Sequence, residues 1–103
     1  MVANRKFREL TLSIPDSIEL PHHEKTSFRL NKKIFATLDE TKRIATLKFS
    51  EIDQSVFCSY DKLIIYPVPN KWGKQGWTYI ALDKVPNELV QDALNVASRE
   101  ISK

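Results

Sequence analysis

The chain has little of what catalytic and export machinery is usually made from. Among 103 residues there is one cysteine, Cys58, and there are only two glycines, Gly73 and Gly76. A lone cysteine excludes an intramolecular disulfide and, with only His22 and His23 as histidines, leaves no ligand set for a structural zinc. Two glycines three residues apart match neither a phosphate loop nor a dinucleotide fingerprint. The longest strongly apolar run, "LIIY", is far shorter than the roughly 20 residues that cross a bilayer. The opening "MVANRKFREL" lacks the apolar stretch of an export signal, so a cytoplasmic protein without membrane contact is expected.

What is present is ordinary for a folded domain. Hydrophobic residues make up 42% and charged residues 28%, with a net charge of +3, a balance that permits anionic partners without demanding them. A chain of this size can bury about 60–70% of its unfolded surface, enough for a single domain spanning residues 1–103. No repeat or low-complexity tract divides it.

Periodicity places the elements. "ANRKFRELTLSIP" predicts a helix ended by Pro15, followed by an extended or looped "SIELPHHEK" around Pro21. From Phe28 to Phe49 apolar and polar residues alternate, with "NKK" and "DETK" as turns, which predicts a three-stranded antiparallel meander. Ser50 is a natural N-cap for a second helix, with Ile52, Val56, Phe57 and Tyr60 on one stripe and Cys58 as a small buried hydrophobe. "LIIYPVP" is extended, "GWTYIAL" is a strand, and "VPNELVQDALNVASREISK" is a closing amphipathic helix. The order α-β-β-β-α-β-β-α describes an α+β fold, with helices layered on an antiparallel sheet.

Few residues suggest chemistry. Neighbouring residues on a strand face opposite ways, so His22 and His23 make a poor metal-binding pair, and no nucleophile accompanies them as a general base. No metal, cofactor or catalytic activity is expected. The glycines are expected to supply positive φ in a turn that lets Trp77 enter the core. Trp72, between Lys71 and Lys74, either stacks on a base while the lysines meet phosphates, or folds back onto the sheet. Further cations gather at Arg5, Lys6 and Arg8, at Lys32 and Lys33, and at Lys42 and Arg43.

Several passages together resemble the MmcQ/YjbR family of small bacterial proteins. They are "SIPDSIE", "SFRLNKKIFATL", "GWTYIALDKVPNELV" and the closing helix, most specifically Lys33-Ile34-Phe35-Ala36 and Trp77 running into Leu82, Val85 and Pro86. The resemblance implies a two-layer α/β domain similar in shape to type III secretion chaperones. It also implies a "double-wing" sheet of the kind labelled DNA-binding. On these grounds a non-enzymatic domain is expected, with DNA as the first partner. Lys32, Lys33, Lys42, Arg43, Lys71 and Lys74 would meet phosphates and Trp72 would stack. The alternative is a chaperone-like module that takes a protein or peptide on its sheet face or edge.

Overall fold

The computed structural model describes residues 1–103. The alternating stretch folds into four consecutive strands: β1 (Ile18–His22), β2 (Lys25–Leu30), β3 (Lys33–Asp39) and β4 (Ile44–Lys48). Later segments add β5 (Ile65–Pro67) and β6 (Trp77–Ala81). All pairings are antiparallel, and the order across the six-stranded sheet is β1-β2-β3-β4-β6-β5. Four helices complete the chain: α1 (Asn4–Leu12), α2 (Glu51–Cys58), the single-turn α3 (Lys71–Lys74) and α4 (Asn87–Ile101). The α+β layering matches the sequence expectation, with the single-turn α3 and one strand more than the periodicity indicates. That strand is β1, formed from the segment expected to be extended or looped. It accepts Pro21 because Pro21, opposite Thr26, holds the position whose N–H would point away from β2.

The sheet buries one face. Ala36, Leu47 and Thr78 form one cross-strand row on it, and Leu38, Ala45, Ile80 and Ile65 form the next. These side chains are small or aliphatic, and α4 meets them with its own small residues, Ala93 and Ala97, flanked by Val90 and Leu94. Small residues on both surfaces let the helix lie close to the sheet. A bulge in β3 leaves Phe35 unpaired, and both Phe35 and Ala36 are buried. Packed beside α4, α1 sends Phe7 edge-on against Phe28 with ring centres 5.7 Å apart. Arg8 ties α1 to Glu19 of β1 and Glu40 of the β3–β4 turn. Burial, the largest single influence, pulls the Arg8 pKa down, but hydrogen bonds to the two carboxylates hold it above its ordinary value.

Three local expectations are corrected. Trp77 does not enter the core: Thr78 and Ile80 do, and Trp77 lies with Tyr79 on the opposite face of β6. The stripe expected on α2 is mostly bare. Only Phe57 turns inward, stacking on Phe49 at 4.8 Å, while Ile52 is 77% and Val56 62% exposed. This one short helix packs against the edge strand β5, which offers too little surface to cover a wider stripe. The third concerns the glycines. Gly76 has the expected positive φ of 106°, but Gly73 sits in α3 and is required for close approach. A Cβ there would lie 1.9 Å from the carbonyl oxygen of Val68.

The turn at Asn31-Lys32 has φ of 50° and 70°, both left-handed, as a two-residue primed hairpin turn requires. Lysine is strained there and glycine is not. Lys32→Gly should therefore raise stability in urea denaturation by about 0.5–1 kcal/mol. A loss would mean that the turn is not left-handed. In the opposite direction, Gly73→Ala should lower stability by about 1–3 kcal/mol. Gly76→Ala should cost more, because it adds backbone strain to a 1.8 Å approach to the Phe49 carbonyl.

Candidate functional site

With α1 and α4 on the core side, the other face of the sheet has no long helix over it, and only the single-turn α3 reaches its margin. Its middle row runs Leu20, Ser27, Thr37, Thr46, Tyr79, Tyr66, and the adjoining rows bring in Ile34, Ile44 and Trp77. Tyr66 and Tyr79 meet edge to face with centres 5.6 Å apart. Such a face is amphipathic rather than polar: it presents aromatic rings and threonine hydroxyls side by side.

An open groove of about 480 Å³ crosses this face. Its floor is formed by Ile34, Thr37 and Thr46, its aromatic wall by Trp72, Trp77 and Tyr79, and its far end by His22 and Lys25. Val68 and Asn70 close the side from which the segment bearing Trp72 arrives. That segment is held in place by side chains from elsewhere. The amide of Gln54, from α2, donates to the Gly73 carbonyl at 2.9 Å and to Thr78 Oγ1 at 3.1 Å. Lys48 Nζ donates to the carbonyls of Gln75 and Phe49. Asn70 Oδ1 caps α3 by accepting from the Trp72 N–H at 2.8 Å. So anchored, Trp72 folds back along the groove, the second of its two expected placements, and still stays 49% exposed. Lys71 Nζ lies 5.8 Å from the Trp72 ring centre.

The expected basic residues divide between two ends of the sheet. Successive hairpins turn at opposite ends, so Lys32 and Lys33 lie at one end, and Lys42 and Arg43 at the other. At about 3.3 Å per residue, the intervening strand separates them by roughly 20 Å. Lys71 and Lys74 share the Lys32–Lys33 end, since α3 feeds directly into Trp77, which pairs with Lys48 at the close of β4. Arg43 is committed elsewhere: its Nε donates to Asp83 at 2.6 Å and its Nη2 to the Val2 carbonyl at 3.2 Å. Lys42 is exposed beside Lys25, in a small pocket with Asp39 and Tyr79.

Sequence reasoning missed Trp77, expected in the core, Tyr79 beside it, and Lys25, the cation at the end of the groove. The alternation of β6 was the available signal for the two rings, and Lys25 had none, since its segment was expected to be extended or looped. Arg29 shares the open face but is turned onto Ser27, donating to its Oγ at 3.1 Å. Asp39 is the sole carboxylate at a strand position of this face, and its oxygen accepts the Lys42 N–H at 3.0 Å. Glu19 faces the other way, toward Arg8. The face is therefore net positive.

His22 and His23 are not splayed as strand neighbours would be. His23 has φ of 58°, and this left-handed turn brings the two rings edge to face, 4.7 Å apart. No third ligand-type side chain gathers with them. No helix is long and apolar enough to cross a membrane. Cys58 is half-buried at the end of α2, and burial pushes its thiol pKa up. At about pH 8, iodoacetamide should therefore alkylate the folded chain several-fold more slowly than the urea-unfolded chain. Equal rates would show an exposed thiol.

Comparison with known proteins fixes the lineage of this scaffold. No curated protein matches the chain in sequence. Among solved structures, it is similar to the crystal structure of Deinococcus radiodurans protein DR2400, a DUF419 domain. The TM-score is 0.85 at 22% identity, covering 100% of this chain and 80% of that one. At that identity the likeness concerns the fold alone. The YjbR family model matches residues 12–99, from the end of α1 almost to the end of α4, and the chain belongs to the YjbR family.

Proposed function

We propose that this YjbR domain is a non-enzymatic, cytoplasmic nucleic-acid-binding module that works through its open sheet face. The observation that carries the reading is the groove, where Trp72, Trp77 and Tyr79 lie with Lys25 on a surface almost free of carboxylates. Aromatic faces stack on bases and ammonium groups meet phosphates, a combination suited to nucleic acid. Lys71 and Lys74 extend the positive charge past Trp72, and Lys32 and Lys33 extend it along the same end of the sheet. Lys42 adds charge beside Lys25. Arg43, already paired with Asp83, contributes little.

A second reading, contact with a protein, draws on a different observation. Ile52, Val56, Tyr60 and Leu63 form an exposed apolar strip on and just after α2, with Leu63 87% exposed. The sheet edges give this reading less support. In β5 the hydrogen bonds to β6 run through Val68 and Ile64, so Pro67, like Pro21 at the other edge, stands where an incoming strand would need an N–H. Prolines so placed block edge pairing.

Fluorescence anisotropy with a labelled oligonucleotide at several salt concentrations tests the proposal. Affinity should fall linearly on a log–log plot, and Lys25→Gln and Lys71→Gln should each reduce the slope by about 0.7–0.9. Lys32→Gly, which removes a charge while relieving its turn, should weaken binding without loss of stability. Absence of binding at low salt would contradict the reading.

A further inference from the structure

The groove also bears on what form of nucleic acid the face receives. In a duplex the flat faces of the bases are covered by their neighbours, and only edges show in the grooves. Trp72, Trp77 and Tyr79 are aromatic walls of a cleft, and an aromatic wall gains most from a flat ring laid against it. At about 480 Å³ the cleft falls within the roughly 300–1,000 Å³ typical of small-ligand sites. That is room for one base with its sugar and far too little for a helix. Its floor suits a base as well. The hydroxyls of Thr37 and Thr46 can both donate and accept, and Asn70 keeps its amide NH₂ for donation while its oxygen caps α3. Lys25 stands at one end and Lys71 beside Trp72 at the other, so cations flank the cleft where a backbone would enter and leave.

We infer that the groove receives a single unpaired nucleobase, drawn from a strand whose flanking phosphates are held by Lys25 and Lys71. The preferred ligand is then single-stranded nucleic acid, or a duplex with an unpaired nucleotide, and not a regular double helix. The inference rests on the nucleic-acid reading above and adds to it the form of the ligand. It also assigns roles to Gln54 and Lys48, which touch no ligand but hold the segment that positions Trp72.

The test compares ligands on the unmodified chain, so that no variant need fold. The ligands are a 12-nucleotide single strand, the same strand paired in a duplex, that duplex carrying one unpaired nucleotide, an abasic version of the single strand, and a nucleoside monophosphate. Tryptophan fluorescence and the indole N–H signals of Trp72 and Trp77 report the site. The single strand and the bulged duplex should bind about tenfold or more tighter than the regular duplex and the abasic strand, and only those two should move both indole signals. Equal affinity for all four oligonucleotides, with both indole signals unmoved, would overturn base insertion while leaving the nucleic-acid reading intact. Absence of binding by any oligonucleotide would overturn both. A nucleoside monophosphate that binds as tightly as the strand would overturn the strand as the source of the base. As a second readout, Gln54→Ala should weaken single-strand binding and leave the weak duplex binding unchanged; equal losses would contradict its positioning role.

Discussion

The structure depends on which face of the sheet α4 can reach. A helix of this length covers one side of a sheet, and it settles where side chains let it come close. Ala93 and Ala97 on α4 and Ala36 and Ala45 on the strands it packs against are all buried in one cluster, and side chains this small let the helix lie close. Lying against the other face would lift α4 away on Trp77 and Tyr79 and leave voids beneath it, with the loss of dispersion contacts that voids bring. Once α4 is placed, the rest follows. Phe7 and α1 complete the same layer, and the aromatic face is left with only the single-turn α3, which carries Trp72, at its margin.

This sidedness explains which parts of the fold and site were legible in the sequence. Alternation from Phe28 onward marked the strands, Ser50 marked the start of α2, and the apolar stripe of α4 was plain. The alternation of β6 was legible too, with Trp77 and Tyr79 on one side and Thr78 and Ile80 on the other. Which of those sides is the core was not. Large aromatic residues are usually an interior signature, so the reading placed Trp77 inside. The decision lay in cross-strand partners at Ala36, Ala45 and Leu47, and sequence does not display that register until the strands are paired. Thr78 goes inside at no polar cost because its hydroxyl donates to the Gly76 carbonyl and accepts from Gln54.

The candidate site was legible only at its rim. Trp72 stood out because lysines flank it, and it does line the groove. Lysines and arginines at hairpin tips were equally visible, but their convergence is a matter of topology. Successive hairpins in a meander point to opposite ends, which separates Lys32 from Lys42 whatever the details of packing. Arg43 is drawn off by Asp83 through a contact 40 residues distant in sequence. Lys25 had no composition signal at all, and its importance comes from the end of the groove it occupies. The same tertiary logic supports Trp72, since both Gln54 and Lys48 act on it from separate elements.

If the domain binds nucleic acid as proposed, the aromatic face is where it does so. Photocrosslinking with an oligonucleotide carrying 5-bromouracil, followed by mass spectrometry of the crosslinked peptides, locates the contact. Crosslinks should fall at Trp72, Trp77 or Tyr79, with none on α1 or α4. Crosslinks concentrated on the helical layer, or on the apolar strip of α2, would contradict it.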